Sequence, residues 1–309
     1  MLDDSQEDFT LIDTEDFYAP LEALNLPVAK VIPRTTTIAE VLSILRKNGY
    51  GSLIIGETQV EGIVTERDFL FKVSSNFEQM KDQSVETIMT PNPFTLKESS
   101  TIYDAIQLMS SREFRHIPII CDSQIKVISV SDLISYTLNY FKEDLLAYGT
   151  KVDWAKNGVY LQDHAHYSDE TAVTGKISTR VFDTPLRKIM FKEALYCDMD
   201  KTLDEVVDLM KKNKSGNIIF LAYETELKGI LTERDILKNA YGEVDFSTTL
   251  GMEYMTENPH KLLEQDLIAI AVNNMSKYKY RSVIVANQAG FPVSVVSILE
   301  ILKFISSQI

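Results

Sequence analysis

The residues of this chain with chemistry to offer come as a spaced pair that recurs. Thr65-x-x-Asp68 lies in GIVTERDFL at 62–70, Thr232-x-x-Asp235 in GILTERDIL at 229–237, and Ser129-x-x-Asp132 in VISVSD with the same spacing. A hydroxyl followed three residues later by a carboxylate, ahead of an apolar run, is a helix N-cap signature, because each side chain reaches a backbone amide of the first turn. The same start can serve a ligand. First-turn amides and the positive end of the helix attract a phosphate, with the hydroxyl as an added donor. A nearby carboxylate can accept both hydroxyls of a ribose diol. Spacing alone favours the cap; recurrence after a Gly-apolar-apolar strand favours the ligand for the first and third copies.

Other chemistries find little support. The four histidines are His116, His164, His166 and His260, and only DHAHY at 163–167 clusters two. A zinc site wants three or four protein ligands, so H-x-H alone reads as a polar loop and no metal is expected. Cys121 and Cys197 stand in separate apolar segments without C-x-x-C spacing, as buried thiols do. There is no phosphate-loop, no G-x-S-x-G and no ligand set, so no catalytic residue is assigned and no enzyme is expected.

Charge narrows the partners. With 31 Lys+Arg against 45 Asp+Glu the formal charge is -14, which opposes the counterion release that drives nucleic-acid binding. No apolar run is long enough to cross a bilayer, and the opening MLDDSQEDF is acidic where a signal peptide is basic and then apolar. The expectation is a cytoplasmic protein with neither nucleic acid nor membrane as partner.

The elements that must position these residues also repeat. IMTPNPFTL at 88–96 is matched by YMTENPHKL at 254–262, and each half divides again into a short strand, an amphipathic helix, two strands and a capped helix. The first unit reads KVIP, TTIAEVLSILRKNG, GSLIIG, QVEGIV and TERDFLFKVS; Ile38, Val41, Leu42 and Leu45 share one helical face. A unit of this kind cannot bury its sheet alone, so units one and two, and three and four, are expected to pair. The assignments are an acidic segment 1–25, unit one 26–80, unit two 81–144, a polar joint 145–187 containing Trp154, unit three 188–243 and unit four 244–309. A joint of that length is functional or a tether.

GIVTERD, GILTERD, IMTPNP, YMTENP and FRHIPII together resemble cystathionine-beta-synthase (CBS) domains. The resemblance implies an α+β fold of four β-α-β-β-α CBS repeats, paired into two pseudo-two-fold Bateman modules, as in the gamma subunit of AMP-activated protein kinase. It further implies a non-enzymatic sensor that takes adenine nucleotide (AMP, ADP, ATP or adenosyl compounds) in inter-unit clefts and signals to a regulated protein, with no required cofactor. Carried over residue by residue, Asp68, Asp132 and Asp235 hold ribose, and Thr65, Ser129 and Thr232 touch phosphate. Basic residues at the entry of the second strand also touch phosphate: His116 and Arg281, with Arg115 beside them. By register, His116 is matched to Arg281, Gly51 and Gly216. Two departures stand out. Lys126 replaces the motif glycine in unit two, and in PVSVVS of unit four Ser294 remains while Ser297 replaces the aspartate, so ribose capture there is not expected. Arg67 and Arg234 read as solvated surface. The apolar helices LISYTLNYF and ILEILKFI are expected to pack module on module, closing a four-unit disc or holding a homodimer. The alternative is an interaction scaffold in which every Thr/Ser-x-x-Asp is only a cap.

Overall fold

The computed structural model describes residues 17–57, 59–140, 152–153, 158–159, 182, 184–190 and 192–308. The Trp154, His164 and His166 readings lie outside the described residues. Unit one comprises β1 (Val31–Ile32), α1 (Ile38–Asn48), β2 (Ser52–Gly56), β3 (Val60–Thr65) and the helical turn α2 (Glu66–Asp68). Unit two follows with β5 (Leu96–Lys97), α4 (Ile102–Arg112), β6 (His116–Ile120), β7 (Ile125–Ser129) and α5 (Val130–Tyr140), after a short α3 (Phe77–Met80) and β4 (Thr90–Pro91). Strands β8 (Val152–Asp153) and β9 (Gly158–Val159) form a separate ribbon. Unit three has β10 (Tyr196–Asp198), α6 (Leu203–Lys212), β11 (Asn217–Ala222), β12 (Glu226–Thr232), α7 (Glu233–Asn239) and β13 (Thr256–Glu257). Unit four has β14 (Lys261–Leu263), α8 (Ile268–Tyr278), β15 (Ser282–Ala286), β16 (Pro292–Ser297) and α9 (Ile298–Ser307). In every unit the first strand runs parallel to the second and the second antiparallel to the third. This is the fourfold α+β repeat expected.

Local chemistry starts and stops the first helices. Thr37 and Glu40 form a capping box on α1, as Thr101 and Asp104 do on α4 and Thr202 and Glu205 on α6. At the end of α1, Gly49 takes φ 67°, the left-handed turn that stops the helix. The α1 face bearing Ile38, Val41, Leu42 and Leu45 is buried.

Packing between units follows from what each unit leaves uncovered. Helices join units one and three in one core, where Val41, Leu45 and Phe69 meet Val207, Leu237 and Tyr241. The Tyr241 hydroxyl donates to the Phe69 carbonyl at 3.0 Å, and Arg46 donates to the carbonyls of Leu237 and Tyr241, each at 2.7 Å. A second core joins units two and four, with Ile106, Met109 and Leu133 against Ile301, Leu302 and Ile305. The two apolar terminal helices therefore pack module on module within one chain.

Strands join the units the other way. Ala29 donates to Ile125 at 2.8 Å and Val28 bridges to Lys126, stitching the entry of unit one onto β7. Likewise Ala194 donates to Val293 at 3.1 Å and Glu193 bridges to Ser294, stitching unit three onto β16. Ile219, Leu221 and Ile230 bury against Ile284 between units three and four. The units thus contact in the cycle one, three, four, two.

Leading segments cross over between units. Phe17 and Leu21 sit in the core of units two and four, and Ile102 donates to Ala19 at 3.0 Å, so the described end of the 1–25 segment belongs to the fold of unit two. Phe182 and Leu186 join the same core, where Leu186 donates to Asp266 at 2.8 Å. Val85 and Ile88, at the start of unit two, pack in the core that joins units one and three. Among the described residues no helix is long and apolar enough to cross a membrane.

The recurring Gly and Met are one packing device. A Cβ on Gly62 would stand 2.5 Å from the Met89 sulfur, and one on Gly229 would strike the Met255 sulfur and come within 2.9 Å of the Thr256 carbonyl. Only glycine lets β4 and β13 lie beside β3 and β12. Gly229→Ala is expected to destabilise the chain by about 1–3 kcal/mol through overpacking; urea unfolding measures it, and a loss near zero would mean that Met255 swings aside.

Candidate functional site

Strand pairing fixes which residues are equivalent. Thr65, Ser129, Thr232 and Ser297 end the third strands, opposite Ser52, His116, Asn217 and Ser282. The next amides, of Glu66, Val130, Glu233 and Ile298, donate to the carbonyls of Gly51, Arg115, Gly216 and Arg281 at 3.4, 3.0, 2.9 and 3.0 Å. Two sequence assignments change. The partner of Arg281 is Arg115, and His116 sits one residue further along its strand. In unit four the hydroxyl is Ser297 and the carboxylate is Glu300; Ser294 falls in the row of Gly62, Lys126 and Gly229. The signal was present as Ser-x-x-Glu, a capping box with glutamate in place of aspartate.

All four carboxylates act as caps. Thr65 donates its amide and its hydroxyl to Asp68 Oδ2, both at 2.8 Å. Ser129 does so to Asp132 at 2.7 and 2.6 Å, and Thr232 to Asp235 at 3.0 and 2.6 Å. Ser297 donates its amide to Glu300 Oε2 at 2.7 Å and its hydroxyl to the same oxygen. In each case one carboxylate oxygen serves the cap. The second oxygen of Asp68 lies 2.8 Å from Lys72 Nζ.

Charges from all four units meet behind these caps. Glu66 and Glu233, the residues after Thr65 and Thr232, are each only 4% exposed. Arg281 of unit four reaches Glu66 at 2.7 Å, and Arg115 of unit two pairs with Glu233. Arg234 stands 3.9 Å from Glu66, while Arg67 donates to the Lys214 carbonyl at 2.9 Å and lies over the Phe71 ring. Arg67 and Arg234 are therefore interface residues, not solvated surface, because the odd-unit helix starts face one another across the module boundary. Burial lowers the Arg115 pKa and Glu233 raises it, for a net rise; for Arg281 burial prevails over Glu66 and the pKa falls.

His116, half-buried, lies beside the same group. A Cβ on Gly51 would lie 2.6 Å from His116 Nε2 and 3.2 Å from Arg281 Nη2, so glycine is what leaves them room. Burial, then Arg281 and Arg115, push the imidazole pKa down to about 3. The ring is thus a weaker base than a free histidine.

A cavity of about 1020 Å³ opens between units three and four and reaches this centre. Thr232 and Asp235 line it from unit three, Ser297 and Glu300 from unit four, and Arg115 and Arg281 from its inner end. His260, Tyr278 and Tyr280 stack along it at centroid spacings of 4.8 and 5.8 Å. Of the nominated residues, Thr232, Asp235, Arg115 and Arg281 are brought together; Thr65, Asp68, Ser129, Asp132 and His116 do not line this cavity. Its size suits a small-molecule site. Among the described residues no group of three or more metal-binding side chains occurs, and burial pushes the Cys197 thiol up to about 12.

Comparison with known proteins gives a consistent pattern. The CBS domain model matches residues 25–75, 85–139, 186–242 and 250–307. A CBS domain-containing protein of Arabidopsis thaliana is 25% identical over 288 residues, 91% of this chain and 52% of its own length. An uncharacterized protein of Thermofilum pendens is 26% identical over 229 residues, 72% of this chain and 66% of its own. The chain spans about half the length of the plant relatives it matches. A Methanocaldococcus jannaschii structure, put forward as an archaeal homolog of g-AMPK, shares the fold at TM-score 0.68 and 19% identity, covering 91% of this chain and 97% of that one.

The crossed ion pairs set a stability expectation. Arg115→Met leaves the Glu233 carboxylate buried without its partner and is expected to cost about 3 kcal/mol. Adding Glu233→Gln should restore most of that loss. Equilibrium denaturation of the two single variants and the double variant measures the coupling; additive losses would mean that the pair is not a pair in solution.

Proposed function

The chain belongs to the CBS domain family, and from that premise we propose that it is a non-enzymatic sensor of adenine nucleotides in the cytoplasm, whose occupancy is read by a regulated protein. The observation that carries this reading is the cavity between units three and four, where two capped helix starts and two arginines line one space. A nucleotide's demands differ along its length, and the lining matches them. Ala194, Ile230, Ile284 and Val295 offer an apolar wall to a base, Asp235 and Glu300 offer carboxylate oxygens to a ribose, and Arg115 and Arg281 offer donors to phosphate, which the Thr232 hydroxyl joins only by releasing Asp235.

The corrected register extends the reading to unit four. Glu300 stands where Asp68, Asp132 and Asp235 stand, so that unit carries a carboxylate after all. Its side chain is one methylene longer, which shifts where a diol would sit. In units two to four, cap and ribose make compatible demands, since a carboxylate has two oxygens and the cap uses one. In unit one, Lys72 holds the second oxygen of Asp68, so a ribose there competes with an ion pair.

Occupancy becomes a signal only if it favours one arrangement of the modules over another. The surfaces suited to that are the cross-module contacts, because the cavity touches units three and four while Glu66 and Arg67 on its wall belong to unit one. The scaffold reading has one specific observation in its favour: every Thr/Ser and its carboxylate already satisfy each other as caps.

Calorimetric titration with AMP, ADP and ATP separates the two. The sensor reading expects millimolar or tighter binding of at least one nucleotide, weakened by Asp235→Ala, and a rise in melting temperature with ligand. The scaffold reading expects no binding to any of the three, and an Asp235→Ala loss of about 1 kcal/mol from the cap alone.

A further inference from the structure

The inner end of the cavity holds cations that are already engaged. Arg281 and Arg115 line it, and each is paired with a glutamate from the diagonally opposite unit: Arg281 of unit four with Glu66 of unit one, Arg115 of unit two with Glu233 of unit three. Glu66 and Glu233 line the cavity too. They sit in the TERD motif but take no part in the caps, which use Asp68 and Asp235. A carboxylate that far from water is costly unless paired, so their presence calls for an account.

The arrangement is doubled with approximate two-fold symmetry. Each glutamate has a strand-entry arginine in contact and a second arginine, from the facing odd unit, close by. For Glu66 the second is Arg234 at 3.9 Å. For Glu233 it is Arg67, which lines the same cavity while its guanidinium donates to the Lys214 carbonyl at 2.9 Å. A strand-entry arginine that turns away leaves a second guanidinium in the neighbourhood of its glutamate, which lessens the cost of the exchange without cancelling it.

Resting on the nucleotide reading above, we propose that Glu66 and Glu233 are built-in competitors for the ligand's phosphate, holding Arg281 and Arg115 until a phosphate displaces them and so setting the affinity of the cleft for phosphorylated ligands. Exchange of one anion for another on the same guanidinium keeps the number of charge-assisted contacts constant. Each exchange also opens a contact between modules, since Glu66 and Arg281 lie in different modules, as do Glu233 and Arg115. The same competition thus lowers affinity and couples occupancy to module contacts.

The test is calorimetry on the full chain with AMP and with adenosine, which lacks the phosphate. Glu66→Gln keeps the side-chain shape and removes the competing charge; it is expected to tighten AMP binding on the order of tenfold and to leave adenosine unchanged. Arg281→Gln is expected to weaken AMP, and Glu66→Gln with Arg281→Gln to match Arg281→Gln alone, since no arginine is left to release. Wild-type binding of AMP with Glu66→Gln equal or weaker, or with adenosine tightened as much as AMP, overturns the competition while leaving the sensor reading intact. No binding of AMP or ATP by either the wild type or Glu66→Gln overturns both. Glu233→Gln makes the same test through Arg115, and thermal melts confirm that each variant is folded.

Discussion

A β-α-β-β-α unit has two sheet faces and helices enough for one, and the architecture of this chain follows from that shortfall. The unit's own first helix covers part of one face, as Ile38, Val41, Leu42 and Leu45 of α1 do. Everything else must come from a neighbour. Helices supply it between units one and three and between units two and four, while sheet faces and borrowed strands supply it between three and four and between one and two. Two kinds of interface on each unit, used in alternation, close a ring of four. Closure then forces the entries of the capped helices toward a common centre, which is why charges distant in sequence meet there.

Odd and even units solve the problem of the third strand's outer edge differently. Odd units pair it with the Met-Thr segment that follows them, and this needs Gly62 and Gly229 to let the methionine pass. Even units pair it with the chain entering the preceding odd unit, and the glycine row then carries Lys126 or Ser294 instead. Lys126 finds Glu98 at 2.6 Å, and Ser294 donates to the Lys192 carbonyl at 2.7 Å. The loss of glycine in unit two is therefore a consequence of a different neighbour. It says nothing against a ligand.

Legibility in the sequence tracked the distance over which each feature is decided. Repeat order, helix faces and caps depend on residues three or four apart, and these were readable. Registers were not: RHIP offers two adjacent basic residues and PVSVVS two serines three apart, and only antiparallel pairing says which one faces the cleft. A slip of one residue turns a strand's side chain to the other face, which is what separates Arg115 from His116. The buried glutamates were invisible for a stronger reason. Glu66 and Arg281 are 215 residues apart, and a charged residue inside a helix cap reads as surface until the partner that buries it is known.

The phosphate site proposed here would lie in an acidic chain. A net charge of -14 works against anions at long range, yet exposed charges farther apart than about 8–10 Å are largely screened at physiological salt. What governs an anion in the cleft is the nearby set of four half-buried arginines and two buried glutamates, whose sum is positive. Were the arginines unaccompanied, their mutual repulsion and burial would strain the four-way junction whenever the cleft stood empty. The glutamates remove that strain, and under the competition proposed above they oppose the ligand in doing so. That proposal sets stability of the ring and affinity for phosphate against each other at the same six side chains, because a unit interface held by ion pairs, rather than by apolar contact alone, is one that an incoming anion has the chemistry to rearrange.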